Sequence, residues 1–164
     1  MGARTYTALG ADVQLTRYVG TASALSLESA DSWHGLDLAV VPGSRGRRQP
    51  TADVNDLGAA SGRANLGQAL ILRLLTPRGS LAPLGHASFG SRLGELIGRT
   101  NDENARNLAR LYTLQAVREE PRVAELVDLS VEPVPGSPDR IRIGFAVRPV
   151  NDDELLALGL EVAL

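Results

Sequence analysis

Cysteine and lysine are both missing from this chain of 164 residues. Without cysteine there can be no disulfides, no thiolate metal sites and no cysteine nucleophile. All 17 basic residues are therefore arginine. A GC-rich coding sequence is the plain explanation. The physical consequence holds whatever the cause, because arginine is a planar, always-charged, two-pronged donor suited to interfaces. Aromatic residues make up only 4% of the chain, too few for a base-stacking surface that would track nucleic acid. No apolar run approaches the ~20 residues that a membrane-spanning helix needs. The first residues, MGARTYTALGADVQL, hold no apolar stretch of the secretory kind, so a cytoplasmic start is expected. A net charge of −2 gives no general pull toward nucleic acid or anionic membranes.

Recognisable catalytic patterns are scarce too. His34 and His86 lie far apart in sequence, and neither sits in an HExxH arrangement. There is no phosphate-binding loop and no dinucleotide fingerprint, so no metal and no cofactor are expected. Trp33 reads as a packing anchor, and His86, beside Gly85, as a turn residue. Glu95, Glu119, Glu120 and Glu125 could serve a glycosidase only if two of them faced each other across a cleft. Spacing alone does not pair them.

What is present is an ordinary globular balance, 43% hydrophobic and 22% charged, at a length suited to one domain. Val13–Val19, Leu25–Leu27 and Leu36–Val41 alternate briefly and read as short strands. Pro42–Pro50 is a loop by composition and the densest basic cluster; it is either a solvated tip or an arm for an acidic partner.

Two helices follow. The first is expected to start near Asn65, with Gln68 completing a capping box. It carries Leu66, Leu70 and Leu74 as a stripe and stops at Thr76–Pro77. A Gly-rich connection comes next, in which Phe89 to Ile97 suggests a short helix with Phe89, Leu93, Leu96 and Ile97 inward. The second main helix is expected to be capped by Thr100 and Glu103. It shows Ala105, Leu108, Ala109, Tyr112 and Ala116 on one face, widened by Leu111 and Leu114, and must end near Glu119 because Pro121 restricts Glu120.

A β-hairpin then reads clearly. Val127, Leu129 and Val131 alternate on one strand, and Ile141, Ile143, Phe145 and Val147 on the other. Acids on the first strand can oppose Arg140, Arg142 and Arg148 on the second. The tail from Leu158 to Leu164 suggests a third strand, whose edge could accept a strand from another chain. The fold class expected is α+β: two main helices plus a short one packed on a small, mostly antiparallel C-terminal sheet, with a short-stranded N-terminal extension. The division expected is an extension over residues 1–55 and a body over 56–164.

Glu119-Glu120-Pro121-Arg122 is physically odd, because two acids at a helix C-terminus oppose its dipole. Either Arg122 folds back onto Glu120 or the last carbonyls, or a partner supplies the counter-charge and Arg122 grips a partner carboxylate.

At these residues the chain resembles a known family. "LLTPRGSLAPLGHASFGSRLGELIG", then a capped helix, then "EEPRV" and a hairpin, is similar to the sheath-initiator baseplate wedge proteins of contractile phage tails. TssE-like proteins of type VI secretion and their counterparts in extracellular contractile injection systems belong to that family, and "LGH…FGSRL" looks most like the last branch. The resemblance spans about residues 56–164. It implies a structural protein with no enzymatic activity, despite the family's lysozyme-like label. Six copies would serve each particle, assembled in the cytoplasm, and would contact wedge proteins, sheath subunits and, as a further candidate, a central hub or spike. Nucleic acid and membrane insertion have no part in that picture. The first sheath ring would dock by strand exchange on the sheet. The matching motif is Glu120, Pro121 and Arg122, expected as a partner contact, with Arg78, Arg92 and Glu119 as further interface candidates. The alternatives are a peptidoglycan-cleaving enzyme of the particle or an unrelated soluble adaptor.

Overall fold

The computed structural model describes residues 9–15, 38, 40–42 and 55–164. The expected strand at Leu25–Leu27, the basic loop beyond Pro42, Trp33 and His34 lie outside them. Seven strands and two α-helices run through the described residues. Four short strands come first: β1 (Ala11–Val13), β2 (Val40–Pro42), β3 (Asn55–Leu57) and β4 (Ala59–Ser61). The helices are α1 (Gly62–Leu75) and α2 (Glu103–Arg118), separated by single 3-10 turns at Ala82–Leu84 and Leu93–Leu96. The chain closes with β5 (Val123–Val134), β6 (Ser137–Pro149) and β7 (Leu156–Ala163). This is the α+β arrangement expected, with the C-terminal sheet antiparallel in the order β5-β6-β7.

The sheet forms because one face of it alternates apolar. Ile141, Ile143, Phe145 and Val147 of β6 are buried, and they pair in register with Val162, Leu160, Leu158 and Leu156 of β7. Val131 and Leu129 of β5 continue the same rows. The register slips between Leu126 and Asp128, so Val127, expected inward, turns outward and is exposed. The opposite face carries charge, with Arg142 gripping Glu161 at 2.6 Å and Arg148 gripping Glu125 at 2.6 Å.

Both helices pack on the apolar face. Leu66, Leu70, Ile71 and Leu74 of α1 and Ala109, Tyr112, Ala116 and Val117 of α2 join the sheet residues in one core. Leu111, expected to widen the apolar face of α2, points to solvent. In the connection Leu93 and Leu96 reach the core, but Ile97 does not. A single 3-10 turn forms there rather than the helix expected from Phe89 onward. Gly90 explains the break. Its φ is +104°, and a Cβ there would lie 2.5 Å from the Thr76 carbonyl oxygen. That close approach lets the Ser91 amide donate to Thr76 (2.8 Å) and the Arg78 amide donate to Ser91 (2.8 Å), strapping the connection to the end of α1.

Neither helix start is the one expected. α1 begins three residues earlier, at Gly62, and Asn65 and Gln68 are buried inside it. Instead of capping, their amides hold the N-terminal segment: Asn65 donates to the Leu9 carbonyl at 2.9 Å and Gln68 to the Val13 carbonyl at 2.8 Å. α2 is capped by Asp102, whose carboxylate accepts from the Ala105 amide at 2.7 Å, rather than by Thr100. Leu9, from the segment assigned to the extension, is 1% exposed within the core, which at ~25 cal/mol per Å² is worth about 2 kcal/mol.

A candidate partner-binding face

The residues between α2 and β5 form a tight turn. The Glu120 amide donates to Val117 (3.1 Å), the Val123 amide donates to Glu120 (3.0 Å), and the Val150 amide donates to Arg122 (2.9 Å). The turn is thereby tied to the helix behind it and to the end of β6. Pro121 sits exposed at its tip.

Glu120 is only 4% exposed. Arg122 folds back onto it, with Nε 2.6 Å from Oε1. Arg73 approaches the other oxygen at 3.4 Å. Glu119 is gripped by both prongs of Arg78, at 2.8 and 2.9 Å, and lies 3.9 Å from Arg73. The offset demanded by two acids at a helix C-terminus therefore comes from within the chain. Three guanidiniums against two carboxylates leave the cluster one positive charge in excess. Burial pushes the Glu120 carboxyl up, but the hydrogen bond and charge of Arg122 and the charge of Arg73 together hold it below the usual glutamate range. Arg73 also stacks on the Phe89 ring at 4.5 Å.

Arg78 and Arg92 line one surface groove of about 490 Å³, with Pro77, Gly94 and Ile97 as its apolar part. Arg92 is held by Glu95 through two contacts of 2.8 Å and lies over the Tyr112 ring at 4.7 Å. The Arg92 hydrogen bond keeps the Glu95 carboxyl below its ordinary value, and the Glu119 hydrogen bond raises Arg78 further. Arg73 thus joins the Glu120–Arg122 and Glu119–Arg78 pairs into one network, and Arg92 lines the same groove as Arg78. Arg73 was missed by sequence reasoning. The signal was available: an arginine three and seven residues after Leu70 and Leu66 lies on the helix's apolar stripe.

The fold has a solved counterpart. The chain superposes with a TM-score of 0.51 on the crystal structure, at 1.44 Å, of a "putative tail lysozyme" from Geobacter sulfurreducens. The two are 19% identical, and the match covers 60% of this chain and 86% of the other. At that identity the likeness is one of fold. Neither a sequence profile of any known family nor any curated protein sequence matches the chain.

The chemistry the arrangement can perform is narrow. Glu95, Glu119, Glu120 and Glu125 each carry an arginine partner. Among the described residues, no group of three or more His, Asp or Glu side chains is placed to hold a metal, and no helix is long and apolar enough to cross a membrane.

Proposed function

We propose that this chain is a non-enzymatic structural component of the baseplate of a contractile tail or injection machine. It is held in the wedge through Glu120-Pro121-Arg122 and templates the first sheath ring. The observation that supports the reading most is the fold likeness, which takes in 86% of a protein described as a tail lysozyme and 60% of this chain. Two features of the chain support it. The Arg78–Glu119–Arg73–Glu120–Arg122 network fixes the turn rigidly and keeps an excess positive charge, the complement of an acidic partner surface. At the far side β7 pairs only with β6 among the named strands, leaving an edge where a sheath strand can add by backbone hydrogen bonds. Wedge proteins, sheath subunits and a central hub or spike are the partners in this reading, in six copies per particle.

The lysozyme in that neighbour's description also raises a wall-cleaving enzyme. A glycosidase acid must hold its proton near neutral pH, yet arginine contacts lower Glu95 and Glu120. Zymography of the purified chain on peptidoglycan is expected to show no clearing; clearing that disappears in Glu95→Gln or Glu120→Gln would favour the enzyme. The structural role is tested by deleting the chain in its native source. Sheathed particles should vanish and return on complementation, whereas normal sheaths in the deletion strain would contradict it.

A further inference from the structure

The N-terminal segment Leu9–Leu15 is bound to the rest of the molecule much as a peptide is bound in a groove. Its one buried side chain is Leu9; Ala11, Asp12 and Val13 are exposed. Leu15 packs partly buried against the core, and the rest of what holds the segment is backbone recognition. The Gln14 amide donates to Gly58 (2.8 Å) and the Gly62 amide to Gly10 (3.1 Å). Gln68 imitates a neighbouring strand, donating to the Val13 carbonyl and accepting from the Leu15 amide at 2.9 Å. Gly10 takes a φ of +74°, with Asn65 Nδ2 3.4 Å from where a Cβ would stand. The groove therefore reads a leucine followed by a glycine, where a helical residue passes through a left-handed glycine into the strand Ala11–Val13.

The Leu9 carbonyl is also where the segment meets the Glu-Pro-Arg turn. It accepts from Asn65 and, across 113 residues of sequence, from Arg122 Nη1 at 3.1 Å. The Nε of Arg122 is already committed to Glu120. A carboxylate from outside must take the guanidinium by its Nη1–Nη2 end, which is the end the Leu9 carbonyl occupies.

We propose that Leu9–Leu15 is an intramolecular ligand of the surface at Arg122, seated in the free chain and displaced when a partner carboxylate takes that guanidinium. The competition rests on the partner-contact reading of Arg122; the seating does not. Hydrogen exchange followed by mass spectrometry on the full chain tests both. In the free protein, Arg122→Ala should speed exchange of the Gln14 and Leu15 amides roughly tenfold while Ile141–Val147 stay protected. Asn65→Ala, which leaves Glu120 untouched, should do the same. No change in either variant, or equal loosening of β6, would overturn the latch. In wild-type chain bound in isolated particles, the Gln14 and Leu15 amides should lose their protection, and retained protection would overturn the displacement. Absence of the chain from particles would instead sink the baseplate reading and the displacement with it, leaving the seating to stand or fall on the free-chain comparison.

Discussion

Glu120 concentrates the energetics of the candidate face. A carboxylate this buried is tolerable because Arg122 and Arg73 surround it. Glu120→Gln keeps the shape and removes the charge, so Arg73 is left buried opposite a neutral amide. The expected cost is about 3 kcal/mol in urea unfolding, moderated by Glu119 nearby. The pH dependence follows from the direction of the Glu120 shift. Its folded-state pKa lies below the ordinary value, so its contribution is complete above the unfolded pKa, at about 4.3. That contribution is lost as pH falls through the lower folded value. Melting of wild type should therefore weaken from about pH 4 downward, and Glu120→Gln should flatten that part of the profile. The sequence made Arg122 folding back on Glu120 one of two readings, because both residues are local. It did not reveal Arg73 as the second partner, because that contact spans 47 residues and depends on how α1 crosses the end of α2.

Local rules located the elements better than their ends. The stop of α1 at Thr76–Pro77 and of α2 at Glu119 follow from proline and are found there. The starts differ because a capping pattern names residues that can cap, not residues that do. Asn65 and Gln68 hold the distant N-terminal segment instead, and the cap is Asp102, two residues after the expected Thr100. Asp102→Ala should cost about 1 kcal/mol of stability, while Thr100→Ala should change it little, as chemical denaturation can measure. Gly90 carries the other element-level constraint. Gly90→Ala combines a strained φ with a clash against the Thr76 carbonyl, and should lower stability by about 1–3 kcal/mol. It should also loosen the strap that places Arg78 and Arg92 on one groove. A fall in thermal midpoint without loss of the sheet's circular dichroism signal is the expected signature.

At the scale of the molecule, the C-terminal sheet was the most legible part, since alternation with period two fixes which residues face inward once strands pair. The bulge near Leu126 escaped, because a register slip is settled by the partner strand and leaves no mark in the alternation. The third strand was read from its start at Leu158, but β7 begins at Leu156 and supplies four buried residues to the core. Ending the chain after Val150 should therefore abolish cooperative unfolding, as a urea titration followed by circular dichroism can measure. The N-terminal strands were read only as short alternating runs. Their seating through Leu9, Asn65, Gln68 and Arg122 is a long-range arrangement without local pattern. The proposal that unites the molecule is that its arginine-braced turn and the outer edge of β7 serve a baseplate. The direct measurement is quantitative mass spectrometry of sedimented particles from the native source. The account predicts this chain in the particle fraction at a low, fixed ratio to sheath; finding it only as free, slowly sedimenting protein would contradict it.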